Sequence, residues 1–347
     1  MEATTGSHDE PEQRPVTGGE RGKFGGPGAV TDRSPEEPSE ERSGSGRARP
    51  SRAVLAVMRR VVTVPPYDGL CEEGILLQRQ RDLTMVTRAD WVGLIQSRTD
   101  PAGVVVVDVP VVPSTAGGSG TFLGLGSDGR RWWVKPVNNL QGARVIVTES
   151  VVGRAGALLG APVCDVAVVR IPPEIAGWEF RPGARLEPGF AHASLAVDDA
   201  QEVRTLEYRQ RDDNRRRHAG VLALYDWCWG GDDQWLYCET DDRKLYSHDH
   251  GWYLPETGPN WSEDALMAHV DLPHPLASTS SDLDPTTLGQ LADRLETLTR
   301  SELARMLGAV PASWPASDSE LEALGFFLER RAPAVAGRLR NLMDGTP

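Results

Sequence analysis

The sequence predicts an α+β chain built in two lobes with a cleft between them. Strand-like segments crowd ahead of residue 173, helical periodicity dominates after about residue 215, and a single short strand pair interrupts the second region. Residues 1–52 stand apart. They are rich in Gly, Pro, Ser, Glu and Arg and nearly free of large aliphatic side chains, so burial cannot offset the entropy of ordering them. The expected organisation is therefore a disordered tail over 1–52, a β-rich lobe with one major helix over 53–173, and a mainly helical lobe over 174–347.

The elements follow in order. Order is expected to begin near Ala53, with a β-branched strand over Val54–Val64. Thr87-Arg88-Ala89-Asp90 offers a helix start, with Trp91, Leu94 and Ile95 as its apolar stripe. Val104–Val112 is a continuous apolar run bounded by turn residues, hence a buried strand. Gly-rich turns at 117–120 and 127–129 flank Thr121–Gly126, and the second leads into Arg131–Lys135, which is a hairpin pattern. Apolar and small residues at helical spacing fill Arg144–Leu159, where Gly160 and Pro162 stop the helix. Cys164–Ile171 reads as a strand. Beyond it come helices over Ala219–Trp229, Pro285–Leu307 and Asp318–Met343, and the strand pair Trp235–Cys238 and Lys244–His248.

Composition narrows the function classes. The 347 residues include 39% hydrophobic and 25% charged side chains, a soluble globular profile. The formal net charge of −13 disfavours sequence-independent binding to nucleic acid or anionic membranes. No apolar run approaches the roughly 20 residues of a membrane-spanning helix, and the first residues lack a basic start followed by an apolar centre. A cytoplasmic location is expected. Cys71, Cys164, Cys228 and Cys238 share no C-x-x-C spacing and are read as reduced thiols.

The chemistry-bearing residues occur in a telling order. A Gly-rich turn, Gly117-Gly118-Ser119-Gly120, lets backbone N–H groups approach phosphate oxygens, and Lys135 at the end of the next strand supplies a point charge for them. Glu149, fourteen residues on and near the middle of a helix, is placed to fix that ammonium. Asp232 and Asp233, and then Asp249 sixteen residues after Asp233, offer one carboxylate to orient an attacking hydroxyl and another to hold Mg²⁺. Asp226 and Asp241 read as plain turn residues. His248 and His250 would share one face of a continued strand, a pattern that a zinc hydrolase would need to complete with a further ligand. The Arg209–Arg217 stretch reads as a solvated mixed-charge loop, and Trp227, Trp229 and Trp235 as packing residues.

These landmarks carry a specific resemblance. Trp133-Val134-Lys135-Pro136, Gln141-Gly142-Ala143-Arg144-Val145, Glu149, Leu159-Gly160-Ala161-Pro162-Val163, Asp232-Asp233-Gln234 and Asp249-His250-Gly251 together resemble the HipA-like kinases. The likeness runs from about residue 110 to 343 and includes Val310–Trp314 and Phe326–Arg331. It implies a two-lobed protein-kinase-like fold and an ATP- and Mg²⁺-dependent kinase acting on an unidentified hydroxyl. In that frame the Gly-rich turn covers the phosphates, Lys135 meets the α/β-phosphates, and Glu149 pairs with Lys135. Asp233, or its neighbour Asp232, is the catalytic base and Asp249 the metal ligand. Ser119 is where family-style autophosphorylation would fall. The chain departs from the pattern five residues after the base, where a metal-binding Asn is expected. Cys238 stands there counting from Asp233, and Tyr237 counting from Asp232. Both are poor ligands for a hard cation, which raises the alternative of a nucleotide-binding pseudokinase.

Overall fold

In the computed structural model, residues 86–114, 118, 120–256, 261–278 and 281–344 are described, all within one unit, Gly69–Pro347. The expected tail, the strand over Val54–Val64, Cys71, Gly117 and Ser119 lie outside them.

Five strands close into a barrel in the order β1-β2-β3-β7-β4. These are β1 (Val105–Pro113), β2 (Phe122–Gly126), β3 (Arg131–Lys135), β4 (Val166–Ile171) and β7 (Gly189–Leu195). Antiparallel pairing joins all neighbours except β1 and β4, which run parallel. Alternation along the strands sends Val107, Phe122, Trp132, Val134, Val169, Ile171, Ala191 and Ala193 into the barrel interior. The opposite parity puts Trp133 and Lys135 on the outer face of β3. A small ribbon, β5 (Glu179–Arg181) with β6 (Ala184–Arg185), adds Phe180 to the same core. Since β7 pairs with both β3 and β4, the barrel extends beyond residue 173.

Helix α1 (Val145–Leu159) packs against this barrel and is buried along most of its length. A Cβ on Gly153 would come within 2.6 Å of Val166, and one on Gly156 within 2.4 Å of Val163, so only glycine lets α1 approach β4 and the segment leading into it this closely. The helix ends at Gly160 in the left-handed conformation, φ 81°, as its C-terminal signal predicted.

The remaining elements form a helical body beside a three-stranded sheet ordered β10-β9-β8, with β8 (Ala200–Val203), β9 (Trp235–Cys238) and β10 (Lys244–Ser247). The helices are α2 (Asn214–Trp227), α3 (Glu263–His269), α4 (Pro285–Thr297), α5 (Arg300–Gly308) and α6 (Asp318–Met343). The single helix expected over Pro285–Leu307 is two. Thr299 breaks it by capping α5, accepting from the Glu302 N–H at 3.2 Å while Glu302 returns a bond to the Thr299 N–H. No helix among the described residues is long and apolar enough to cross a membrane.

The expected helix at Thr87 is also corrected. A single 3₁₀ turn, Arg88–Trp91, forms, and Gly93 at φ 78° ends it. Trp91 and Ile95 are buried while Leu94 is exposed. This segment is fastened to α6: Trp91 Nε1 donates to Glu329 at 2.6 Å and the Ile95 N–H to Glu322 at 3.1 Å. Arg98 adds a bond to Asp318 at 2.6 Å.

Candidate active site

Lys135 ends β3 and is 3% exposed. Its ammonium donates to Glu149 Oε1 and to Asp249 Oδ1, the latter at 2.8 Å. Glu149 comes from the first half of α1, whose close seating on the barrel brings it over the end of β3. Asp249 follows β10 and adopts the left-handed conformation, φ 50°. That kink turns the next N–H back, and His250 N donates to Glu149 Oε2 at 2.8 Å. The same kink ends the strand alternation, so His248 and His250 diverge. His250 shares a hydrogen bond with Ser247 at 2.9 Å, whereas His248 lies 3.6 Å from Glu202.

Charge in this cluster is set by burial against pairing. Burial alone would push the Lys135 ammonium down, but Glu149 and Asp249 outweigh it and hold the group above the ordinary lysine range. Burial pushes the Glu149 carboxyl up to about 7 despite Lys135. Burial also raises Asp249, and there the Lys135 charge wins, holding it below the usual carboxylate range. His192, opposite Lys135 on β7, is kept neutral by burial and by the Lys135 charge.

Asp232 is held by Gln234 Nε2 at 2.5 Å and lies 3.8 Å from Arg204. Burial raises its pKa, and the Asp249 carboxylate contributes. Glu202 on β8 feels both Asp249 and Asp232, so three carboxylates share one electrostatic neighbourhood. Asp233 Oδ1 is buried with no hydrogen-bond partner, and its carboxylate joins burial in pushing the Tyr225 phenol up to about 12. Of the Gly-rich turn, Gly118 and Gly120 are described. Because Phe122 pairs with Val134, both lie at the Lys135 end of the sheet.

Tyr237 and Cys238, the residues at the expected Asn position, turn into packing. The Tyr237 hydroxyl donates to Glu207 O at 3.0 Å and meets His218 at 3.2 Å, while Cys238 Sγ donates to Asp198 O at 3.4 Å.

Two features escaped the sequence reading. One is a cavity of about 270 Å³ lined by Leu123, Arg131, Trp133 and residues 196–199, on the same face of β3 as Lys135. The other corrects Asp226, which is no turn residue. It lies in the last turn of α2, 5% exposed, and accepts from Arg338 at 2.6 and 2.8 Å and from the His274 N–H at 3.0 Å. Arg331 of α6 donates to the carbonyls of Asp226, Trp227, His269 and Leu272. His274 Nε2 donates to Gly230 O at 2.6 Å and stacks on Trp229 at 4.2 Å. The segment leading to Asp232 and Asp233 is thereby tied to α6. A clue existed in Arg331 and Arg338, seven residues apart on one helix face, but their partner could not be read from spacing.

Asp241 forms a surface pair with Lys244 at 3.0 Å. The arginines from 211 to 217 pair with nearby Asp212, Asp213, Asp242, Asp282 and Asp284. Trp227 and Trp235 are buried, and Cys164, Cys228 and Cys238 are free, buried thiols.

The family model for HipA-like kinases matches residues 110–335, well over half of the chain. This chain belongs to the HipA-like kinases. Among solved structures, the HipA-like chain is similar to the Helicobacter pylori proinflammatory kinase CtkA, with 8% identity and a TM-score of 0.43, over 70% of this chain and 97% of that one. Comparison with the curated proteins gives no match. Membership places this HipA-like protein among the kinases.

Proposed function

We propose that this HipA-like kinase transfers the γ-phosphoryl group of ATP to a hydroxyl acceptor with the help of Mg²⁺. The observation that carries the reading is the Lys135 ammonium held jointly by Glu149 and Asp249. A buried cation fixed by two carboxylates from distant segments is pre-aimed, so its charge needs no reorganisation when phosphate arrives. In this reading the barrel and α1 form the first lobe of a two-lobed kinase fold, which runs through β7. The helical body with its sheet forms the second lobe.

The residues present fit both ATP and Mg²⁺. The cavity beside Trp133 offers an aromatic wall for a nucleobase. Asp249, Asp232 and Glu202 present hard oxygen donors in one neighbourhood. Among the described residues no three His, Cys, Asp or Glu side chains close into a metal cage. Mg²⁺ rarely needs one, since one or two carboxylates plus substrate phosphates suffice. Asp249, with Asp232 or Glu202, would hold the ion, which neutralises charge developing on the phosphates. Asp233, whose buried Oδ1 lacks a partner, and Asp232 are the two candidates to accept the acceptor's proton. Gly117, Gly118, Ser119 and Gly120 would cover the phosphates. The acceptor is a serine or threonine hydroxyl of a protein, Ser119 of this chain included, or a small alcohol.

The inward-facing Tyr237 and Cys238 favour a second reading, a nucleotide-binding pseudokinase lacking one metal ligand. Measuring ATP turnover with Mg²⁺ or Mn²⁺ separates the two. Turnover that Asp249→Ala abolishes supports the kinase; a Tm raised by Mg-ATP without turnover under any metal supports the pseudokinase. Neither binding nor turnover would remove both.

A further inference from the structure

The flank of α1 holds a second cavity, of about 310 Å³, built from Arg130 and Trp132 of the barrel, Arg154 and Ala157 of α1, and Asp165 and Val166 at the entry to β4. Its walls are chemically divided. Trp132, Ala157 and Val166 supply an apolar side, and the two arginines supply cations.

Arg154 is the unusual member. It is half-buried, and burial pushes its pKa down. Among the described residues it has neither a hydrogen bond nor an ion pair. A guanidinium cannot shed its charge, and none of the Arg154 nitrogens is buried without a partner, so the group faces solvent at the cavity and is open to an anion that enters it. Arg130 lies over the Trp132 ring at 4.8 Å, and its carboxylate neighbours stand off, Asp128 at 3.9 Å and Asp165 at 3.7 Å. One guanidinium is thus unclaimed and the other loosely held.

Asp128 and Asp165 set the character of any ligand. A monocarboxylate would offer Arg130 little beyond what these two already provide. A dianion with three terminal oxygens presents enough charge and enough acceptors to engage both arginines together. The cavity also has room for several carbon atoms beyond the anionic head.

We propose that this cavity is a phosphomonoester site, in which Arg154 and Arg130 take the phosphoryl oxygens and the Trp132, Ala157 and Val166 wall takes the carbon skeleton. The ester comes either from a free phosphorylated metabolite or from a phosphorylated side chain, and the chemistry of recognition is the same.

The test is isothermal titration calorimetry on the full chain, without nucleotide and in phosphate-free buffer. O-phospho-L-serine should bind, and L-serine and L-glutamate should not. Arg154→Gln should weaken binding by about tenfold or more, the scale of losing charge-assisted bonds to phosphate, and Arg130→Gln should weaken it in the same direction. The double variant Lys135→Met/Glu149→Gln should leave it intact, because the Lys135 cluster is a separate site. A phosphoserine peptide that binds more tightly than the amino acid names a protein source; a peptide that is excluded names a metabolite. The proposal falls if the wild-type chain does not bind O-phospho-L-serine, or if Arg154→Gln binds it as tightly as the wild type. Neither outcome depends on whether the cleft turns over ATP.

Discussion

Lys135 and Asp249, 114 positions apart in the chain, meet through a 2.8 Å hydrogen bond from Nζ to Oδ1, and Glu149 claims the same ammonium. One cation therefore neutralises two carboxylates, and removing it leaves both uncompensated. Lys135→Met is expected to cost about 3–5 kcal/mol of stability, the scale for breaking a buried pair from one side. It should also eliminate nucleotide binding. Adding Glu149→Gln should restore much of the stability and none of the binding. Urea denaturation and calorimetry with Mg-ATP check the two halves.

Gly251 guards this cluster from below. A Cβ there would stand 2.7 Å from Val145 Cγ1, 3.1 Å from Glu149 Oε1 and 3.5 Å from Lys135 Nζ. Gly251→Ala must push the turn at His250 away from α1 and lengthen the His250 N–H bond to Glu149. A loss of about 1–3 kcal/mol is expected from such overpacking, with turnover falling further than stability. Thermal unfolding and steady-state rates on one preparation measure both.

Arg331 organises the approach to Asp232 and Asp233. It is 2% exposed and serves carbonyls on α2, α3 and the following loop. Arg331→Met leaves those carbonyls and Asp226 short of a donor, and about 3–5 kcal/mol should be lost. Arg338 is about one-third exposed, and Arg338→Ala should cost less, about 1–2 kcal/mol. Equality of the two in chemical denaturation would contradict the central place assigned to Arg331.

His218 gives a pH dependence from outside the Lys135 cluster. Burial and the Arg209 charge depress its pKa from the ordinary imidazole value of 6.5 to about 4. Its Nδ1 accepts from Arg209 Nε at 3.1 Å, a bond that protonation would destroy. Above 6.5 neither the folded nor the unfolded imidazole carries a proton, and the contribution is complete. As pH falls from 6.5 towards 4 the unfolded chain binds the proton first, so stability is lost. Between pH 7.5 and 5 the wild type should lose about 2 kcal/mol more than His218→Gln, read from denaturation midpoints at the two pH values.

Local signals and long-range ones differed in legibility. Strand β3, helix α1 and helix α6 were readable because periodicity and termination signals agreed, as with Gly160 after Leu159. Lys135, Glu149 and Asp249 were readable as a set because their order resembles a family, and the structure brings them into contact. Strand β7 was missed since Gly189–Leu195 mixes small and polar residues around a pairing that only the closed barrel supplies. Asp226 was misread because its arginine partners sit more than a hundred residues away. The break at Thr299 was overlooked although its capping box is written in Thr299 and Glu302.

The fastening of Trp91, Ile95 and Arg98 onto α6 sets practical boundaries for handling this protein. A trimmed version intended for crystals should begin no later than Val86, because excising the Trp91 strap would strip the final helix of its cover. A fusion tag or protease site spliced anywhere between Thr87 and Arg98 would loosen the far end of the polypeptide, more than 200 residues downstream.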